Sequence, residues 1–146
     1  MGTLIEVLKD DSQRRTVVDD CVTLIDAEVA DKKGLSGKFV RAAFKTVKGF
    51  KPGIVPMSMD ALLDDFAVKV DPHWQACQTS GTPARSYFQQ HKEAISTALL
   101  EITDERAAQS RHKVLVKAYK SLRGKATEHI SQAMPRLADL MVKHAS

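Results

Sequence analysis

The most informative segment of the chain reads Lys38-Phe39-Val40-Arg41-Ala42-Ala43-Phe44-Lys45-Thr46-Val47-Lys48-Gly49. Its apolar side chains recur at intervals of three and four residues, which places them on one side of an α-helix. The predicted buried stripe consists of Val40, Ala43, Phe44 and Val47. The basic residues that flank or oppose this stripe are Lys38, Arg41, Lys45 and Lys48. The segment therefore predicts an amphipathic helix with an apolar inner side and a basic outer side.

A second copy of the pattern lies further along the chain and reads Lys113-Val114-Leu115-Val116-Lys117-Ala118-Tyr119-Lys120-Ser121-Leu122-Arg123-Gly124. When the two segments are aligned, the lysines that open them, the central alanines and lysines, and the final glycines are identical. The predicted apolar stripe here consists of Leu115, Ala118, Tyr119 and Leu122. The basic residues outside it are Lys113, Lys117, Lys120 and Arg123. We therefore expect a second helix of the same kind.

The same alignment extends beyond these helices and suggests an internal duplication. It pairs Leu24-Ile25-Asp26 with Leu99-Leu100-Glu101, and Met59, Leu62 and Asp64 with Met134, Leu137 and Asp139. We predict a repeat of residues 12–70 and 87–145, packed as two three-helix halves about an approximate twofold axis, with Phe44 and Tyr119 in equivalent core sites. The alternative is a chance match, because unrelated amphipathic helices share the same periodicity.

Helical signals dominate the rest of the chain. The sequence contains no sustained alternation of apolar and polar residues and no Asn-Gly or Asp-Gly hairpin turn, so it gives no indication of a strand. We therefore predict an all-α fold, a compact bundle of about seven to nine helices in a single domain of residues 1–146. The expected core residues are Val18, Cys21, Leu24, Ile25, Val40, Phe44, Val47, Leu62, Phe66, Trp74, Leu99, Ile102, Leu115, Tyr119, Leu122, Leu137 and Leu140.

Serine, proline and glycine residues predict where helices begin and end. The expected helix caps are Ser12, Ser36 and Ser58. Between the last two, Ile54-Val55-Pro56 reads as a short extended connector. Asp71-Pro72 has the order of a cap followed by a proline at the first helical position, so a new helical turn is expected there. Pro135 is expected to break or kink the last helix.

Composition indicates a globular protein, with 43% apolar and 27% charged residues. No apolar run approaches the roughly 18 residues that span a bilayer, and the N-terminal residues lack the apolar core of a signal peptide. We expect a cytoplasmic protein with no membrane partner. Cys21 and Cys77 read as ordinary buried thiols, and a disulfide between them is the less favoured alternative in a reducing compartment.

Charge is segregated along the chain. Residues 32–51 contain seven basic and no acidic residues, and residues 111–146 contain eight basic and two acidic ones. Residues 1–31 carry eight acidic and three basic residues, and residues 52–110 carry eight acidic and four basic ones. The basic residues of the two repeated helices are the candidate residues for binding an anion or a partner. The competing interpretation is a set of solvated helix surfaces, neutralised in part by the acidic helices.

Motifs of catalysis or metal binding do not stand out. Gly34-Leu35-Ser36-Gly37-Lys38 resembles half of a phosphate-binding loop, but Lys32 and Phe39 occupy positions where that loop needs glycine and Ser or Thr. A plain helix cap is favoured over an anion site at Ser36 and Lys38. The five histidines show no His-x-x-x-His spacing. We therefore expect no metal, no cofactor and no catalytic residues.

Three short segments are similar to a known family. These are Gly34-Leu35-Ser36-Gly37, Lys51-Pro52-Gly53-Ile54-Val55-Pro56 and Leu122-Arg123-Gly124-Lys125. Together they resemble a family of small, uncharacterised bacterial proteins of about this length, and the resemblance extends over nearly the whole chain. It implies a bacterial source, a helical fold and no known catalytic residue.

Three functional classes follow from these observations. The leading hypothesis is a non-enzymatic helical interaction module of unknown partner, which could self-associate as a homodimer because it has separate acidic and basic segments. The alternative is binding of a polyanion, most plausibly nucleic acid, through the basic sides of the repeated helices. Base stacking would contribute little, since no aromatic residue is obvious on those sides. An enzyme is the third hypothesis and would need a deep pocket of convergent polar groups.

Overall fold

The computed structural model describes residues 2–146. Nine α-helices and no strand are found among them, which confirms the predicted helical bundle. The helices are α1 (Leu4–Val7), α2 (Asp11–Asp31), α3 (Gly34–Phe50), α4 (Ile54–Ser80), α5 (Ala84–Gln90), α6 (Lys92–Gln109), α7 (Lys113–Arg123), α8 (Ala126–Gln132) and α9 (Met134–Ala145). Within this described part, no helix combines the length and the apolar character that crossing a bilayer requires.

The hydrophobic core lies where α4, α5, α6 and α9 meet, with α1 and α2 packed around them. Its most deeply buried large side chains are Leu63, Phe88, Ile95, Met134 and Met141. Trp74 packs edge-on against Phe88, with ring centroids 6.4 Å apart. The core is therefore formed mainly by helices other than α3 and α7.

The expected core residues divide into two groups. Four are buried, namely Val18, Val40, Trp74 and Leu140. The others are half-buried, namely Cys21, Leu24, Ile25, Phe44, Val47, Leu62, Phe66, Leu99, Ile102, Leu115, Tyr119, Leu122 and Leu137. Those on α3 and α7 lie at the edge of the bundle, because the centre is filled by Phe88 of α5 and by the methionines of α9.

Helix α4 contradicts the expectation of a new helix at Asp71-Pro72, because it runs unbroken from Ile54 to Ser80. The Asp71 side chain does not cap its own helix. It is buried, and its carboxylate accepts hydrogen bonds from the backbone N–H groups of Leu4 at 2.8 Å and Ile5 at 3.0 Å. The residue therefore caps α1 from the middle of α4.

The predicted serine caps are also wrong. Asp10, not Ser12, caps α2 by accepting hydrogen bonds from the backbone N–H groups of residues 12 and 13. Ser36 lies inside α3 and Ser58 inside α4. Because Gly53 adopts a positive φ of 75° and places the chain directly into α4, the segment 54–56 is helical rather than extended. Pro56 is tolerated there since the first helical N–H groups have no partner within the helix.

Among the glycines, Gly37 is the one that lies closest to another part of the chain. A Cβ atom placed on Gly37 would lie 2.5 Å from the Lys32 carbonyl oxygen. The same oxygen accepts a hydrogen bond from the Arg41 guanidinium at 2.6 Å. This part of the phosphate-loop-like segment therefore has a structural purpose, which is to close the corner between α2 and α3.

The helix contacts do not establish the predicted repeat. Helices α2, α3 and α4 of the first repeat contact one another. In the second repeat α6 and α7 contact each other and α8, whereas the alignment places Met134 and Leu137 of α9 opposite Met59 and Leu62 of α4. Helices α3 and α7 also pack against each other. The duplication and its approximate twofold axis stay predictions. Pro135 lies in the first turn of α9, after the break between α8 and α9 that was expected.

Residues from the two ends of the described chain meet beside α4. The Trp74 Nε1–H group donates to the Ala145 carbonyl oxygen at 3.4 Å. Gly2 lies against the same residue, and a Cβ atom placed on Gly2 would be 3.0 Å from the Ala145 oxygen. Helices α1 and α9 are consequently neighbours.

Candidate binding surface on helices α3 and α7

Helices α3 and α7 lie side by side in opposite directions. At the end of α3, the Phe50 ring packs edge-on against His112 at the start of α7, with ring centroids 5.2 Å apart. At the other end, Leu35 and Phe39 line a groove together with Leu122 near the end of α7. The antiparallel arrangement brings both basic segments of the sequence to one part of the molecule.

Four large apolar side chains on this pair of helices are exposed. Leu35 is 85% exposed, Phe39 51%, Val114 49% and Phe50 38%. Leu35, Phe39 and Phe50 fall within a sector of about 60° on α3, beside the buried stripe rather than in it. Val114 is the residue that the repeat aligns with Phe39. None of the four residues was assigned a function from the sequence. A helical projection of α3 nevertheless separates Leu35, Phe39 and Phe50 from the buried stripe.

The eight predicted binding residues separate into two groups. Five are exposed and form no ion pair or hydrogen bond among residues 2–146, namely Lys38, Lys45, Lys113, Lys117 and Lys120. The other three bind other parts of the chain. Arg41 closes the α2–α3 corner, and Lys48 pairs with Asp26 at 3.1 Å while lying over the Phe44 ring. Arg123 holds Asp104 through two hydrogen bonds, at 2.8 and 3.1 Å.

The ion pair of Arg123 belongs to a network that fixes α7 on α6. The Tyr119 hydroxyl also donates to Asp104 and lies 2.7 Å from the Thr103 hydroxyl. The Arg123 hydrogen bonds, together with that of Tyr119, lower the pKa of Asp104 from its usual value. Burial and the Asp104 carboxylate raise the pKa of Tyr119. Arg123 and Tyr119 therefore position α7, and neither is available to a ligand in the way that the five lysines are.

The acidic residues of the first 31 positions neutralise other parts of the molecule more than they neutralise α3. Asp20 contacts Lys143 at 2.8 Å and His144 at 2.6 Å. Glu28 and Asp31 pair with Arg136 of α9. Of this acidic segment, only Asp26 pairs with a residue of α3. The positive charge of α3 and α7 is therefore left largely uncompensated.

The unpaired basic residues of the described chain are concentrated here. Helices α3 and α7 with their flanking residues include ten lysines and arginines outside any ion pair, namely Lys33, Lys38, Arg41, Lys45, Lys51, Arg111, Lys113, Lys117, Lys120 and Lys125. No acidic residue lies within residues 32–51 or 111–125. We call the exposed side of these two helices, with its four exposed apolar residues and five free lysines, the α3–α7 face.

The groove at one end of the α3–α7 face has a volume of about 400 Å³. Its walls are Leu35, Ser36, Phe39, Ser121, Leu122, Gly124, Lys125 and His129. A second cavity, of about 430 Å³, adjoins it through Ser36 and His129 and is also lined by the carboxylates of Asp31 and Glu128. The two carboxylates of the second cavity offset the charge of Lys32 and Lys33, which also line it, whereas the first groove has no acidic residue in its walls.

His129 and Lys32 are half-buried residues in the wall of the second cavity. The His129 Nδ1 atom is buried and has no hydrogen-bond partner among residues 2–146. Burial and the nearby Lys32 charge lower the pKa of His129. The Lys32 ammonium is itself occupied, since it donates to Gln132 Oε1 at 2.6 Å and lies 3.5 Å from Glu28.

The thiols are poor candidates for chemistry. Cys21 and Cys77 are both free. Burial raises the pKa of Cys21 to about 12 and also raises the pKa of Cys77, so both are held as thiols at neutral pH. Among the described residues, no three His, Cys, Asp or Glu side chains cluster as metal ligands would.

The chain belongs to a protein family of unknown function, DUF6918, whose model matches residues 4–145. This match confirms the resemblance to a family without an assigned activity, and it extends from Leu4, the first residue of α1, to Ala145, the last residue of α9. Neither a curated protein nor a solved structure matches the chain significantly.

Proposed function

We propose that this chain is a non-enzymatic binding module that recognises a negatively charged partner through the α3–α7 face. The observation that carries the proposal is the combination of exposed apolar residues, above all Leu35 and Phe39, with lysines that have no partner among residues 2–146. Solvated surface lysines are common, but apolar patches of this kind on soluble domains often mark interaction sites. The face therefore offers both apolar contact area and electrostatic attraction.

Self-association through this face is less favourable than binding another molecule. An isologous dimer places the same surface of both copies together, so Lys38, Lys45 and Lys120 would oppose like charges. Like-charge juxtaposition at an interface costs several kcal/mol. A homodimer through a different surface is still compatible with the proposal, and light scattering at low salt measures it.

Polyanion binding is the second function that a specific observation favours. Phe39 and Phe50 are exposed aromatic residues on α3, in the sector between its buried stripe and its lysines. They could stack on unpaired bases while the lysines contact phosphates. The exposed aliphatic Leu35 and Val114 have no comparable use against nucleic acid, so this function ranks second.

The setting of this module is also a proposal. The resemblance to small bacterial proteins supports a bacterial source, and the two free thiols support the cytoplasm. One core cluster that includes residues of α1, α2, α4, α5, α6 and α9, together with one family match over residues 4–145, supports a single domain.

The test of the proposal is site-specific photo-cross-linking in living cells. A photoreactive amino acid replaces Phe39 in one variant and Val68 in a matched control, because Val68 is equally exposed at 56% but lies on α4. We expect discrete adducts at position 39 that are absent at position 68 and weaken when Lys38 and Lys45 are changed to Glu. Nuclease-sensitive adducts would assign the face to nucleic acid. The same adducts at both positions, or none at position 39, would contradict the proposal.

A further inference from the structure

The chemistry of the α3–α7 face identifies one class of partner. We infer that the ligand is an acidic amphipathic α-helix of another protein, seated with its apolar side on Leu35, Phe39 and Leu122 and its carboxylates beside the free lysines. This inference rests on the proposed function and adds the structural class of the partner. It is carried by the shape of the groove, by the charge around it and by the absence of a β-edge in the described chain.

The groove favours a helix over an extended peptide. Residues 2–146 contain no strand, so no sheet edge is available to which a peptide could add main-chain hydrogen bonds. A common mode that needs no sheet edge is an amphipathic helix whose residues at intervals of three and four enter an apolar groove. Leu35 and Phe39, one turn apart on α3, present their side chains at this spacing, and Leu122 forms the opposite wall.

The charges around the groove favour an acidic partner. Lys38 and Lys45 lie on α3 on the flank of the exposed apolar sector that is opposite the buried stripe, and Lys125 lines the groove itself. None of these three lysines forms an ion pair in the described chain. A helix with Glu or Asp beside its apolar stripe would meet these ammonium groups without displacing an existing partner.

The chain's own acidic segments are poor occupants of the groove. Four of the six carboxylates of α2, those of Asp20, Asp26, Glu28 and Asp31, are already paired with basic side chains of the same molecule. Using them between copies would require breaking those ion pairs. This favours a different chain as the partner.

A membrane surface and a nucleic acid are the competing occupants. Lipid headgroups bind convex amphipathic helices that lie in the interface, whereas Leu35 and Phe39 line a concave site with Leu122. Nucleic acid would use the lysines and the phenylalanines but would leave Leu35 in water. The concave apolar lining is thus explained best by a helical side chain that enters it.

The experiment is a selection from a displayed library of helical peptides of about 18 residues, a length of roughly five turns. The library is selected on the full chain and counter-selected on a Leu35→Asp variant, which preserves the fold because Leu35 is 85% exposed. We expect enriched peptides to carry apolar residues at i, i+4 and i+7 and a net negative charge. Enriched peptides without that periodicity, or with a net positive charge, would overturn the inference, as would failure to enrich any peptide.

Binding titrations then separate the possible ligands. The selected peptide should bind the wild type and Val68→Asp equally, and should bind Phe39→Asp or Lys38→Glu/Lys45→Glu at least about tenfold more weakly, which corresponds to 1.4 kcal/mol. Single-stranded RNA or DNA, or phosphatidylglycerol vesicles, could bind more tightly than the selected peptide and in a way that depends on Leu35. That result would overturn the inference that the partner is a helix. If Phe39 cross-links a discrete partner in cells while no helical peptide is enriched, only the class of partner is wrong. If neither result is obtained, the proposed function fails as well.

Discussion

The buried carboxylate of Asp71 accepts a hydrogen bond from the Leu4 backbone N–H at 2.8 Å, although 67 positions separate the two residues in the chain. Its second oxygen accepts from the Ile5 N–H at 3.0 Å. The first N–H groups of a helix have no partner within the helix, and the helix dipole favours a negative charge there. One side chain of α4 therefore both caps α1 and fastens it to the core.

Removing this cap is expected to destabilise the fold. Asp71→Ala leaves the N–H groups of Leu4 and Ile5 without acceptors, and should lower the free energy of unfolding by about 2–4 kcal/mol. Urea denaturation followed by circular dichroism measures the loss. Asp71→Asn, which retains one acceptor oxygen, should lie between Ala and the wild type. A loss below about 0.5 kcal/mol for Asp71→Ala would show that the cap contributes little.

Replacing two glycines of α3 by alanine should change the stability of the protein in opposite directions. At Gly37 the new Cβ would lie 2.5 Å from the Lys32 carbonyl oxygen, so the α2–α3 corner must shift and the protein should lose stability. At Gly49 no atom lies within 4 Å of the new Cβ, and Gly49→Ala should gain about 0.5–1 kcal/mol from its better helix propensity. Thermal unfolding of the two variants compares them directly. Equal effects at both positions would contradict the close approach at Gly37.

The contact between α2 and α9 should depend on pH. The hydrogen bonds from Lys143 and His144 lower the pKa of Asp20 below its usual value. A carboxyl group with a lowered folded-state pKa stabilises the fold above its unfolded pKa, and that stability is lost as the pH falls through the folded pKa. The stability difference between the wild type and Asp20→Asn should therefore be present at neutral pH and shrink below about pH 4. If the stability difference between the wild type and Asp20→Asn grew on acidification, the pKa of Asp20 would be raised in the folded protein and not lowered.

Both thiols should be slow to react in the folded protein. Because burial raises the pKa of Cys21 to about 12, little thiolate forms at neutral pH, and the thiol of Cys77 is also buried. A chromogenic disulfide reagent should modify neither residue rapidly in buffer and both in denaturant. Rapid reaction of one thiol in the native protein would contradict the burial of that residue.

The sequence predicted the helices better than it predicted their ends, for a physical reason. Amphipathic periodicity is a property of a local segment, and it identified α3 and α7 correctly. Asp71-Pro72 obeys the local rule for a helix start, but the carboxylate is used by α1, which is distant in the chain. The continuity of α4 therefore depends on a tertiary contact that no local pattern contains.

The candidate binding face was predictable in its charge but not in its composition. Lys38, Lys45 and Lys120 are exposed as the stripe analysis expects. Arg41 donates a hydrogen bond to the Lys32 carbonyl oxygen at the α2–α3 corner. The spacing of basic residues along α3 could not predict this contact. Leu35 could have been found from the sequence, because a helical projection of α3 places it outside the apolar stripe.

The contacts of Gly2 and Trp74 with Ala145 have a consequence for the connectivity of the chain. With residues 2 and 145 side by side, the backbone is nearly a closed ring. A short linker there, with new ends opened between Gly81 and Thr82, would give a circular permutant that begins with α5 and ends with α4. Such a permutant is expected to fold, because the linker joins residues that are already neighbours.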